Sequence, residues 1–237
     1  MPSFNLLSQS ARNLYHEIWR DPHLLGFWPL NEGSSAVYDH ALAYRNNATA
    51  VGATPGAVVG TLPAMAFTQS ASHFVSIGDV AALNFERTTP FTLLAAVEHN
   101  AVNTEQTYFS KALAAQGLKW TINASGKVFV QMYSAVPNSQ SAEANVALTS
   151  ATPYLQGWTN SGATNAAGMK LWTNGATVAQ TTVVDTLSAA VTSTGAAAIG
   201  TYLSTGYMNG DIGFVAAFSA VKTAVDMKRW ARIGGFV

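Results

Sequence analysis

The chain of 237 residues contains no cysteine. Disulfides, thiolate metal sites and thiol nucleophiles are excluded at once, while the compartment stays open. Charge is also scarce: Lys, Arg, Asp and Glu make up 10% of the chain, with 12 bases against 12 acids. Soluble domains usually carry about 25%. With neither sign in excess there is no electrostatic footprint for nucleic acid or for an anionic membrane. Long apolar runs are missing too, since none approaches the roughly 18 residues of a membrane span. The N-terminal stretch MPSFNLLSQSARNLYHEIWRD lacks the basic start, apolar core and small-residue cleavage site of a secretory signal. The expectation is an unexported product.

What is present is a 49% hydrophobic composition, enough for a substantial core in one domain. The surface left over is sparse, neutral and rich in Ala, Thr, Ser, Gly and Asn. Such a surface suits a protein covered by partners, so a homo-oligomer or a docked subunit is expected.

The 3–4 spacing of Phe4, Leu7, Ala11, Leu14, Tyr15 and Ile18 predicts an amphipathic helix over residues 3–20. Ser3 can cap it and Asp21-Pro22 stops it. Two readings of its stripe stay open. The helix packs on its own domain, or it is a docking arm that buries Phe4, Leu7, Leu14 and Ile18 in another chain. The second reading divides the chain into an arm at 1–22 and a sheet domain at 23–237. A closing helix is predicted at 223–233, with Thr223 and Asp226 as a capping-box variant and Gly234-Gly235 as its stop.

Strand patterns fill the space between. In residues 199–218 a strand ends at Ile199-Gly200, a polar loop runs over 201–207, and Asn209-Gly210 turns the chain. The strand beyond alternates, with Ile212, Phe214, Ala216 and Phe218 on one face and Gly213, Val215 and Ala217 on the other. An Asn-Gly turn between two strands predicts a hairpin. Further strands are predicted at 107–111, 118–122, 128–133, 156–159, 169–173 and 178–184, with tight turns at 123–127 and Asn174-Gly175. The polar, Ser-rich residues 136–143 read as an exposed loop. Strands at this spacing indicate an all-β sandwich.

Several stretches resemble laminin G-like, concanavalin A-like lectin-glucanase jelly rolls. GFWPLNEG at 26–33 is similar to the family opening "xYWPLNEGSG", and VYD at 37–39 with RNNAT at 45–49 to "VYDxSGNGNxGT". AF at 66–67 with FVSI at 74–77 resembles "xxFDGxDDYVxI", PFTLLAAV at 90–97 resembles "PFTLSAWV", and MKLWTNG at 169–175 resembles "LKLYVNG". Residues 107–111 match the "IFSK" strand, and 199–218 the "IG" strand followed by "GxIDEVxIY". The closing helix matches "LSxxEIxxL". The resemblance covers about 26–233 and implies a jelly-roll β-sandwich, with the amphipathic N-terminal helix and the short C-terminal helix added to it. Trp28 is expected in the core.

Chemistry is harder to find. There is no GxxxxGK[ST] phosphate loop, no GxSxG elbow in a strand–helix context, and no metal-ligand spacing among His16, His23, His40, His73 and His99. Glu17, Glu32, Glu86 and Glu98 are not spaced as a carboxylate pair on one strand, as glycoside hydrolysis on this fold requires. Many relatives bind calcium, but the family Asp of "GxIDEV" falls on Gly213 and its Glu on Phe214. Asp211 remains, one step out of register, and reads as a turn cap. No catalytic residue, metal or cofactor is therefore assigned.

Among Trp120, Trp158, Trp172, Tyr133, Tyr202 and Tyr207, all able to stack on a sugar, Trp158 and Trp172 read as core. Tyr202 and Tyr207, in the loop before the last strand, are the candidates for glycan or partner contact. The leading expectation is a non-enzymatic structural protein of a tailed-phage virion, assembled in the host cytoplasm. Its partners would be coat or tail proteins, as for a capsid decoration protein or a tail or fibre subunit. The rival is a carbohydrate-binding module or lectin for cell-surface glycans, and an enzyme comes third.

Overall fold

The computed structural model of the chain describes residues 8–41, 45–114, 116–134 and 138–237. Helix α1 (Gln9–Trp19) leads into strands β1 (Leu24–Pro29), β2 (Ala36–Val37), β3 (Ala48–Val51), β4 (Thr54–Val59), β5 (Leu62–Phe67) and β6 (Phe74–Gly78). The middle of the chain forms β7 (Phe91–His99), β8 (Gln106–Leu113), β9 (Gln116–Ile122), β10 (Lys127–Ser134), β11 (Ser139–Ala147) and β12 (Pro153–Asn160). Then come β13 (Met169–Thr173), β14 (Ala176–Thr177), β15 (Gln180–Asp185), β16 (Ala197–Ile199), β17 (Gly210–Phe218) and helix α2 (Ala224–Gly234).

The strands form two antiparallel sheets stacked as a jelly-roll-type sandwich, as expected. An eight-stranded sheet runs β14-β13-β12-β7-β17-β5-β4, with β1 also on β17. A nine-stranded sheet runs β15-β11-β10-β9-β8-β16-β6-β3-β2. Between them lies one core that includes Trp28, Trp120 and Trp158, all fully buried. The expectation of core placement for Trp28 and Trp158 is met.

The eight-stranded sheet is apolar on both faces, which explains the near-continuous hydrophobic run Phe91–Val97 in β7. Its outer face needs a second cover, and both α-helices supply it. Leu14, Tyr15 and Ile18 of α1 pack with Phe27, Phe214 and Trp230 in this outer cluster. Tyr15 meets Phe27 and Phe214 edge-on at 5.3 and 5.9 Å, and Phe218 stacks on Trp230 at 5.3 Å. The two helices are tied to each other by an Arg229–Glu17 ion pair. Of the two readings of this stripe, Leu14 and Ile18 follow the first and pack on their own domain, because the apolar sheet beneath them must be covered. Phe4, Leu7 and the predicted cap Ser3 lie outside the described residues. The described helix begins at Gln9, where the Ser8 side chain accepts from the Ala11 N–H. At the other end the capping box of Thr223 and Asp226 is complete, and Gly235 closes α2 in the left-handed conformation.

Three local expectations are corrected. The Asn209-Gly210 hairpin is not formed, since β16 belongs to the nine-stranded sheet and β17 to the other. The chain crosses the sandwich there. The alternation along β17 changes phase: Ile212, Val215 and Ala217 face the inter-sheet core, while Phe214, Ala216 and Phe218 face the helices. A register shift between Ile212 and Phe214 causes this, because one extra residue in a strand moves every later side chain to the other face. It sits where the neighbour of β17 changes from β5 to β1. Finally, most of 136–143 is strand rather than loop: β11 pairs with β10 and β15, and its residues Ser139 to Ala142 are buried.

Candidate functional site

Neither α-helix lies on the nine-stranded sheet, so its outer face is where side chains of the domain meet solvent or a ligand. Alternation selects them. In β10, Val128, Val130 and Met132 enter the core, which sends Phe129, Gln131 and Tyr133 outward. Cross-strand pairing sets Phe129 beside Thr121 and Glu143, and Gln131 beside Lys119 and Ser141.

The crossing loop, residues 201–209, folds over this face along β8. Thr107 N donates to Gly206 O at 2.8 Å, and Ser110 Oγ to Thr201 O at 2.7 Å. At its tip Tyr202 and Thr205 pair with each other around Leu203 and Ser204, whose φ angles are 47° and 60°. Two consecutive left-handed residues form the type I′ geometry that normally calls for Asn-Gly. Behind the loop, the buried Gln106 accepts from Asn209 N at 2.9 Å and from His99 Nδ1 at 3.0 Å. With that acceptor on Nδ1, His99 is the Nδ1–H tautomer, and its Nε2 accepts from the Tyr108 hydroxyl at 2.8 Å. Burial holds His99 neutral by lowering its pKa to about 4.

The loop delivers Tyr202 onto the sheet. Its hydroxyl donates to Tyr133 at 2.9 Å, and the two rings meet edge-on. Burial raises the pKa of Tyr133 above the ordinary tyrosine value. Lys119 Nζ stands 5.0 Å from the Tyr202 ring centre and 5.4 Å from that of Phe129, within cation–π range of both. It is also 3.5 Å from Glu105. Further out, Glu143 takes Lys127 at 3.2 Å and Asn123 Nδ2 at 2.6 Å. Both carboxylates are thus tied to a lysine. The result is a patch of three rings and one held cation beside Gln131, in which Tyr133 is only 4% exposed and the Thr121 and Ser141 side chains are fully buried. Rings that pack on the C–H faces of a pyranose, with amides and hydroxyls beside them, are the chemistry that sugars require.

Of the two loop tyrosines, Tyr202 joins this patch. Tyr207 sits on the other flank, 6.4 Å from the Phe74 ring, and both loop tyrosines are half-buried. Lys119 and Phe129 were missed in the sequence. Phe129 was visible in principle, as an aromatic out of phase with three core residues of one strand. Lys119 needs the register of β9 on β10. Trp120 is buried in the inter-sheet core, and Trp172 lies against α2 with its Nε1 donating to Thr159 at 3.1 Å. Asp211 is a strand residue opposite Glu98 rather than a turn cap. Its pKa is raised to about 6 by burial and by Glu98. Among the described residues no three His, Asp or Glu side chains gather as a metal would require.

No protein-family model matches the chain, and no curated relative matches it. Solved structures do. The binding domain of Paraclostridial mosquitocidal protein 1 superposes with a TM-score of 0.68 at 9% identity, over 88% of this chain and 52% of that one. Domain 4 of AbnA, an extracellular arabinanase from Geobacillus stearothermophilus, solved with arabinotriose, gives 0.64 at 14% identity, over 88% and 98%. A Trypanosoma rangeli sialidase mutant displaying trans-sialidase activity gives 0.60 at 13% identity, over 92% and 36%. The chain therefore spans about half of the first, nearly all of the second and about a third of the third. At these identities the likeness establishes the fold. The first is named as a binding domain and the second is a single domain holding a sugar, whereas the third is named for its catalysis. The virion, capsid and tail expectations and the homo-oligomer draw no support from these structures.

Proposed function

We propose that the chain is a non-enzymatic, lectin-like carbohydrate-binding module that recognises cell-surface or polymeric glycans on the outer face of the nine-stranded sheet. The observation that carries this reading is the Tyr202–Tyr133–Lys119–Phe129 assembly, built by one loop and two strands on a face without helical cover. Binding is favoured over cleavage on this face because its two carboxylates, Glu105 and Glu143, are each paired with a lysine. The arabinotriose bound to the AbnA domain supports the same reading, since nearly the whole of that domain is covered.

A glycan array probed with the wild-type chain and with Tyr202→Ala tests it. The wild type is expected to bind at least one oligosaccharide class, and the variant to lose it by about tenfold or more, the loss of one stacking ring. Sugar release during incubation would instead make the chain an enzyme.

A further inference from the structure

A cleft of about 1120 Å³ lies on the opposite side of the domain, between α1 and the two stretches that carry Tyr38 to Ala41 and Arg45 to Asn47. Small-ligand sites run to about 1,000 Å³, so it has room for a mono- or disaccharide. Its walls are unusual for this chain. Arg12 and Arg45 both line it, and neither has an acidic partner among the ion pairs of the described residues. Arg12 bonds to the Gln9 amide at 2.9 Å and keeps its charge uncompensated. In a chain of 12 bases and 12 acids, two unpaired guanidinium groups in one cleft are a local excess of positive charge.

Among the described lining residues there is one carboxylate, Asp39, against the two guanidinium groups. Asp39 is buried and accepts from the backbone N–H groups of Phe27, Ala41 and Asn46 at 2.8, 2.9 and 2.8 Å. It fastens both stretches to β1. Flat apolar surface is also on offer, since Trp19 and Tyr38 line the cleft and remain 39% and 48% exposed. Guanidinium forks recognise carboxylates, and indole and phenol faces take the C–H face of a ring. We propose that this cleft is a second binding site, selective for a sugar acid. Arg12 and Arg45 take its carboxylate, and Trp19 and Tyr38 take its ring. The inference does not depend on the sheet-face reading.

The test is calorimetric titration of the full chain with glucuronate, N-acetylneuraminate, glucose and inorganic phosphate. Both sugar acids are expected to bind saturably, and glucose and phosphate at least about tenfold more weakly. Arg12→Gln and Arg45→Gln should each weaken the sugar acids by about tenfold or more, the effect of losing a hydrogen bond to a charged group. Tyr202→Ala should leave them unchanged. Melting curves establish that each variant is folded, and both arginines lie at the surface. The proposal is overturned by no saturable binding of either sugar acid, by phosphate binding as tightly, by affinities untouched in both arginine variants, or by loss in Tyr202→Ala.

Discussion

At Asp211 the sheet sets one carboxylate opposite another, that of Glu98, on the outer face of the eight-stranded sheet. Half-burial and the neighbouring charge raise its pKa from 3.8 to about 6. The folded state therefore holds this proton more tightly than the unfolded chain does. Stability from this group is fullest when Asp211 is protonated and is lost as the pH rises from about 4 through 6. Asp211→Asn is expected to raise the melting temperature at pH 7.5 by about 2–4 °C, with the gain shrinking to nothing near pH 4. Thermal melts of both proteins across that range check it. A variant less stable than the wild type at pH 7.5 would mean that Asp211 makes a favourable contact instead.

Among the elements, the 201–209 loop carries the clearest strain. Leu203 and Ser204 hold left-handed φ angles without being glycine or asparagine, at a cost of roughly 1–2 kcal/mol per residue. Replacing them together with Asn-Gly should stabilise the domain and leave Tyr202 where it is. A melting curve and a binding curve on the same variant test both halves of that statement. Helix α1 makes the opposite case. Leu14 is fully buried among aromatic rings, so Leu14→Asp should cost about 4 kcal/mol or more and lower the melting temperature of the isolated chain. Unchanged stability of that variant would revive the docking arm. These elements also show what could be read in advance. The end helices, the central tryptophans and most strands follow from local periodicity and capping. The β16–β17 crossing and the phase change in β17 do not, because both are set by which distant strand lies alongside. Strand β11 was hidden for another reason: its inward residues Gln140, Ala142 and Ala144 are small or polar, so the pattern reads as loop. Tyr202 was legible as a loop aromatic, whereas its partners depend on register.

For the whole molecule, the two outer faces of the sandwich are treated differently. One is apolar and sealed by two helices; the other carries Phe129, Tyr133 and Lys119 and is crossed by the 201–209 loop, anchored through Gln106 and Ser110. That asymmetry is what favours the nine-stranded sheet as the proposed binding face. The most direct measurement is a backbone amide chemical-shift map of the chain titrated with the oligosaccharide that binds best on the array. Perturbations are expected to cluster at Lys119, Phe129, Gln131, Tyr133 and residues 201–206, and to vanish in Tyr202→Ala. Shifts confined to the helix-covered side, or an array with no ligand at all, would contradict it.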